Sequence, residues 1–302
     1  MNQRALNQES LTDQTRELIA KLETIKTLPT LPTVIQKLRT AIINPASDAG
    51  RIARIIQDDP AMIARVLRVV NSVLYGGREP ISSLQLAVSR LGFNAVSNIA
   101  MSTAVFTSFG KSGEKNFDRR NFWRHCIATG VSAVVIHEQQ STRVRKKYTQ
   151  DFLHLCGLLH DVGKIVLEQH LREKFMNALI AARETCSPLV DAERDIMGSD
   201  HSQIGAWLGI KWILPRDVLD VIRWHHDPKS ASPENQDLVM LCHLANYVCN
   251  LNHLGDGGDT SAPAIVSDCW SQLGLAADSM PEIVEKVAKE MKTSEVLMTL
   301  YQ

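Results

Sequence analysis

The sequence predicts an all-α protein, and three observations carry that reading. Apolar residues recur at spacings of three and four along most of the chain. Sustained apolar/polar alternation, the mark of a half-buried strand, is found nowhere. Pro, Gly, Asn and Ser separate the apolar runs at places where helices start or stop. At 302 residues the chain is long enough for one large domain or two ordinary ones.

The elements follow in order. Leu11, Leu18, Leu22 and Ile25 share a helical stripe, with Ser10 and Asp13 as a capping-box start and Pro29 and Pro32 as the stop. Val34, Ile35, Leu38 and Ile42 predict a second helix ending at Asn44-Pro45, and Ile52, Ile55 and Ile56 a third. Asp59-Pro60 opens a fourth, since Asp suits the N-cap and Pro the first helical position. Ser82 or Ser83 caps a fifth with Leu84, Ala87, Val88 and Leu91, and Asn94 a sixth with Val96, Ile99, Ala100 and Val105. Asn71-Ser72 reads as a structural helix end, because Asn tolerates the left-handed conformation. Gly110 to Lys115 is polar and glycine-bearing, the best internal boundary. Beyond it helices are expected near 118–140, 149–160, 171–185, 201–209, 215–225 and 236–252. A Gly/Asp/Ser-rich linker, Gly255 to Pro263, precedes helices near 267–273 and 281–300. The last carries a stripe of Ile283, Val284, Val287, Ala288 and Met291 for packing on the domain. The domain organisation expected is 1–110, an N-terminal short-helix subdomain; 116–255, a helical core; and 256–302, a linker and closing helices.

Thirty-three basic and thirty-three acidic residues cancel, which argues against general nucleic-acid binding. No apolar run approaches the ~20 residues needed to span a bilayer. Met1 to Asp13 lacks the basic and apolar regions of a secretory signal, and the six scattered cysteines form no C-x-x-C pair. A cytoplasmic protein with reduced cysteines in its core is expected. Arg39, Arg51, Arg54, Arg65 and Arg68 are interleaved with Asp48, Asp58 and Asp59, as on a solvated helix face.

The chemistry concentrates at His160-Asp161, which ends the apolar run Leu155 to Leu159. Imidazole and carboxylate are both ligands for divalent metals, and a buried carboxylate needs a partner or an ion. Eight of the ten histidines fall between His137 and His243, several inside apolar helices where a polar ring must be satisfied. His137, His154, His170 and His253 read as core or surface residues. His125, His160, His201, His225 and His226 read as a set, because each helix of a bundle projects only one or two ligands inward. Adjacent His225 and His226 point about 100° apart on a regular helix, so both reach one ion only near a helix end. Asp227-Pro228 supplies that end. His243 and Asn246 share a face of a later helix.

The order His125, His160-Asp161, His201, His225-His226 and Asn246, with Gly163-Lys164 after the doublet, resembles the HD superfamily of metal-dependent phosphohydrolases, and its HD-GYP branch in particular. Leu28-Pro29-Thr30-Leu31-Pro32, Gln57-Asp58-Asp59-Pro60, Val70-Asn71-Ser72 and Ser89-Arg90-Leu91-Gly92 narrow the likeness to the HDOD family, the HD-related output domains of bacterial signalling, over about residues 20–255. The resemblance implies an HD-like helical bundle. It implies one ion at Asp161, His201, His225 and His226, and a second at His125, His160, the bridging Asp161 and Asn246. Asp161 and Lys164 would be the catalytic residues, Lys164 on a phosphate or bridging hydroxide, with Arg223 a further phosphate or supporting contact. The divalent metal would be Fe, Mn, Ni or Zn, one or two ions.

Two departures qualify the activity. Active relatives carry Asp where this chain has Asn246, which weakens the second ion because its attraction to oxygen is mainly electrostatic. After His225-His226 the chain reads Asp227 to Pro233 in place of a Glu and a Gly-Tyr-Pro segment, and Asn121 replaces a third-metal Glu. Cyclic-di-GMP hydrolysis is therefore not expected. The reading favours a signalling module, non-catalytic or weakly active, that retains metal and engages a protein partner or a nucleotide. A metal-dependent phosphohydrolase and a nucleotide sensor without turnover are the alternatives, and a polar core without metal is the bland one.

Overall fold

A computed structural model of the protein describes residues 12–25, 37, 55, 60–72, 75, 79–109, 117–140 and 148–298. Within them the chain is helical, with no strand ladder, as the missing alternation predicts. Apart from Lys37 and Ile55, both helical, the second and third expected helices lie outside the described residues, as do the Pro29 and Pro32 stop and the Gly110–Lys115 boundary.

Helix α1 (Asp13–Glu23) is capped by Thr12, whose hydroxyl accepts from the Thr15 N–H, so the cap lies nearer the helix than Ser10. Helix α2 (Pro60–Val70) begins on its proline, as expected. Ser83 caps α3 (Leu84–Leu91), accepting from Leu86 N. Helix α4 (Phe93–Ser108) is not capped by Asn94. Gly92, at φ +87°, both closes α3 and opens α4, leaving no turn between them for a side-chain cap. Asn71 is not left-handed. It works through its amide, which donates to Leu67 O and Ile81 O and accepts from Ile81 N at 2.7 Å. Asn71 thus ties the end of α2 to the approach to α3.

The core is organised by α5 (Arg119–Gln139), buried over nearly its whole length. Against it pack α6 (Gln150–Leu159), α12 (Gln236–Leu251) and α14 (Met280–Met298). Ile283 and Val287 of α14 are fully buried and Val284 and Met291 partly so, whereas Ala288 faces solvent and leaves the expected stripe. Burial of each of the two large side chains is worth about 1.5–3 kcal/mol. Helices α7 (Val162–His170), α8 (Arg172–Thr185), α9 (Leu189–Met197), α10 (His201–Lys211) and α11 (Arg216–Trp224) complete this half, with the short α13 (Cys269–Gln272) between α12 and α14. Helices α7 and α9 were not anticipated. Close packing of α7 on α10 depends on Gly163, where a Cβ would stand 1.9 Å from the His201 carbonyl oxygen. Arg119, fully buried, pairs with Glu168 of α7 and donates to Phe109 O at 2.8 Å, fastening α4, α5 and α7 together. All six cysteines are free thiols; five are buried and Cys186 is exposed.

Candidate metal centre

Asp161 occupies the one-residue corner between α6, with His160 as its C-cap, and α7. The corner aims both side chains inward. His201 is the first residue of α10, where Asp200 caps the helix by accepting from Gln203 N. Helix α11 stops at Trp224 with His225 as C-cap, so the backbone turns where the Asp227-Pro228 signal requires, and His225 and His226 both face the site. His125 projects from the second turn of α5.

The imidazoles divide between the two carboxylate oxygens of Asp161. His201 Nε2 and His225 Nε2 stand 3.2 and 3.4 Å from Oδ1. His160 Nε2 and His125 Nε2 stand 3.3 and 3.8 Å from Oδ2. His226 Nε2 lies 2.9 Å from His201 Nε2. Two donor sets result, Asp161–His201–His225–His226 and His125–His160–Asp161, able to hold metal on either side of a shared carboxylate. Asp161, His160, His201 and His225 are wholly buried.

The polarity of these atoms fits a cation. Nδ1 of His160 lies 2.7 Å from Gly157 O, Nδ1 of His225 3.0 Å from Ile222 O, and Nδ1 of His201 2.6 Å from Glu193 Oε2. Each must donate there, which leaves the Nε2 lone pairs of His160 and His225 facing carboxylate lone pairs. Asp161 Oδ1 and Nε2 of His125, His160 and His225 are buried and make no hydrogen bond, while Asp161 Oδ2 meets the Lys164 ammonium. Such an arrangement repels itself unless a cation sits between the acceptors. The spacings of His160, His201 and His225 from Asp161 agree, because ligands about 2.1 Å from one ion stand roughly 3.0–3.4 Å apart in octahedral or tetrahedral geometry, whereas His125 stands farther off.

Protonation follows the same logic. Burial, with His160 beside it, lowers the His125 ring to about 3. Burial lowers His225 to about 4, and burial with the neighbouring His225 holds His226 well below its usual value. These rings are neutral, the ligating form. Burial pulls His201 down as well, but the Glu193 carboxylate overrides it and raises the ring to about 10. A metal must therefore displace a proton there. Burial pushes Asp161 up, yet His160 and Lys164 outweigh it and keep the carboxylate ionised. Burial likewise opposes the charge on Lys164, but Asp161 and Asp259 hold it protonated.

Lys164 Nζ lies 2.8 Å from Asp161 Oδ2 and 2.9 Å from Asp259 Oδ2. Asn246 is buried on α12, and its Oδ1 accepts from Asn250 Nδ2 at 2.9 Å, engaging one lone pair of the atom that could face a metal. Arg223 lies over the Trp224 ring, 4.9 Å from its centroid. Asn121 is exposed and donates to the capping Asp118. His243 is a positioning residue: its Nδ1 donates to His225 O at 2.7 Å while its Nε2 accepts from Val266 N.

Sequence reasoning missed Glu193 and Asp259. It also took 255–263 for a linker. The segment instead lies on the site: Asp256 N donates to Asn121 O at 3.0 Å, and a Cβ at Gly257 would stand 3.2 Å from His125 Nε2. Glycine there serves close approach rather than flexibility.

An uncharacterized protein of Treponema pallidum (strain Nichols) is 27% identical over 237 residues, 77% of this chain; the chain spans 44% of that relative. A crystal structure of an HDOD domain protein from Geobacter sulfurreducens superposes with a TM-score of 0.71 at 22% identity, covering 95% of this chain and 96% of that one. One from Marinobacter aquaeolei VT8, provisionally described as a signal transduction protein, gives 0.74 at 20% identity, covering 97% and 67%. One from Shewanella amazonensis SB2B, provisionally described as a metal-dependent phosphohydrolase, gives 0.60 at 20% identity, covering 96% and 99%. At these identities the likeness to solved structures is one of fold. Residues 28–228 match the HDOD domain model, and the chain belongs to the HDOD domain family.

Proposed function

We propose that the protein is a signalling module that holds a divalent ion at Asp161, His201, His225 and His226 and turns over phosphodiesters slowly or not at all. The observation that carries the metal is the convergence on Asp161 of buried acceptor atoms, of which Asp161 Oδ1 and Nε2 of His125, His160 and His225 make no hydrogen bond. An imidazole-rich set with one carboxylate suits Fe, Mn, Ni or Zn. A bound ion would supply Lewis acidity and lower the pKa of a coordinated water. Around it the chain orients His201 and His225 through their Nδ1 hydrogen bonds, and Lys164 balances the charge of Asp161.

Two features support the regulatory reading over fast catalysis. Lys164 is already bound by two carboxylates, so it is not free for a phosphate. Apart from His226 the centre is closed to solvent, with Gly257 seated against His125. The output would pass to a protein partner or respond to a nucleotide. A cytoplasmic location belongs to the same reading, as does the division into 1–110, 116–255 and 256–302, and no helix among the described residues is long and apolar enough to cross a membrane.

The phosphohydrolase reading stays open on one observation, the sharing of Asp161 between two donor sets, which suits a two-ion clamp. Metal analysis of tag-free protein, before and after loading with Mn or Fe, tests the first reading; less than a tenth of an ion per chain after loading would sink it. A panel of phosphodiesters and nucleotides assayed on the loaded protein divides the two. Turnover at about 1 s⁻¹ or faster, within the ordinary enzyme range, would establish the hydrolase instead.

A further inference from the structure

A groove of about 460 Å³ lies between α5, the start of α6 and α14, lined by residues the metal centre does not use. Val131, Val134 and Val135 give it an apolar floor. Its volume is that of a small-molecule site, typically about 300–1,000 Å³.

Two hydrogen-bond donors in the groove lack acceptors. Gln139 Nε2 is buried and makes no hydrogen bond. A buried amide N–H without an acceptor costs about 1–3 kcal/mol. Lys289, on the exposed face of α14, has no ion pair among the described residues, whereas Lys286 one turn earlier is paired with Glu282 at 2.7 Å. Two acids share the rim. Glu138 accepts from Gln150 at 2.9 Å, and Glu290 lies next to Lys289. The unmet demand in the groove is therefore for acceptors above a hydrocarbon floor.

We infer that this groove binds a small organic carboxylate, its apolar body on Val131, Val134 and Val135 and its carboxylate accepting from Gln139 and Lys289. The inference is independent of the metal. None of these residues belongs to either donor set.

Isothermal titration of the full chain with octanoate, with 1-octanol as the uncharged control, tests it. Saturable one-to-one binding of octanoate is expected, with octanol weaker by at least about tenfold. Lys289→Glu weakens octanoate by a similar factor, and Val134→Trp, which fills the groove, abolishes binding. Should Val134→Trp disturb folding, as circular dichroism would reveal, the exposed Lys289→Glu variant still decides. No saturable binding up to about 1 mM, the weak end of specific recognition, overturns the proposal. So does equal affinity for octanol, or affinity unaltered by Lys289→Glu.

Discussion

Lys164 and Asp259, 95 residues apart in sequence, meet at 2.9 Å beside the carboxylate on which the histidines converge. Asp259 does more than neutralise the ammonium. Its other oxygen accepts from Leu189 N at 3.1 Å, at the start of α9, the helix that carries Glu193. One side chain thus fixes a segment read from sequence as a linker, the N-terminus of a helix and the lysine of the centre. Asp259→Asn should destabilise the fold by about 1–3 kcal/mol, less than the loss of a wholly unpaired buried charge because Lys164 retains Asp161. Urea denaturation measures this, and a midpoint equal to wild type would show that the pair is incidental.

Glu193 sets the tautomer of His201 through contacts at 2.6 Å to Nδ1 and 2.8 Å to the backbone N–H. Glu193→Gln keeps the shape and removes the charge. Metal affinity, read by competition with a coloured chelator, is expected to fall about 10–100-fold, the usual range for losing such a support. An unchanged affinity would mean that His201 does not ligate.

Asn246→Asp adds a carboxylate on α12, which packs directly on the helix bearing His125. The Asn250 amide can still donate to it. Metal stoichiometry is expected to rise toward two per chain, and any phosphodiesterase activity to rise with it. Stoichiometry and activity both fixed at the wild-type level would place Asn246 outside the coordination shell.

His154 gives a pH dependence. Burial lowers its ring to about 4 from an ordinary 6.5. The unfolded chain therefore takes up a proton below about pH 6.5 that the folded chain refuses until about pH 4. The neutral ring's share of stability is complete above pH 6.5 and lost as pH falls toward 4. The shift corresponds to something on the order of 3 kcal/mol. Tyr75 stands edge-on to the ring, and Glu138 of α5 and Lys286, Lys289 and Glu290 of α14 line the groove that His154 also borders. Because His125 and His225 titrate in the same direction, the test is a difference. The stability gap between wild type and His154→Gln should narrow between pH 7 and pH 4.5. A gap constant across that range would contradict the assignment.

What could be read from sequence was whatever leaves a local trace. The all-helical class, the Pro60 start, the Ser83 cap and the helix end after His225-His226 all rest on spacing or capping within a few residues. The histidines that meet at Asp161 were legible because polar rings in apolar helices need partners. Helix α7 was missed because Val162 through Glu168 is buried on every side, which erases the polar stripe that marks a surface helix. Helix α9 was missed because a buried acid, Glu193, interrupts its apolar face. That acid is satisfied only by His201 on the next helix, and Asp259 only by residues far back in the chain. Neither contact has a local signature. The glycines at 255, 257 and 258 misled for a related reason, since composition cannot separate glycine used for flexibility from glycine used for close approach.

The distribution of thiols has a practical consequence. Cys186, in a left-handed cap at the end of α8, is the one cysteine open to solvent. Burial pushes the Cys249 thiol up to about 11 and Cys269 to about 12, and holds Cys126 well above its usual value. A thiol reagent at neutral pH should thus label the native chain once and the denatured chain six times. Cys126 adjoins His125 in sequence. The appearance of label at Cys126 would time the opening of the protein around its metal centre, with no engineered residue and no assay of turnover.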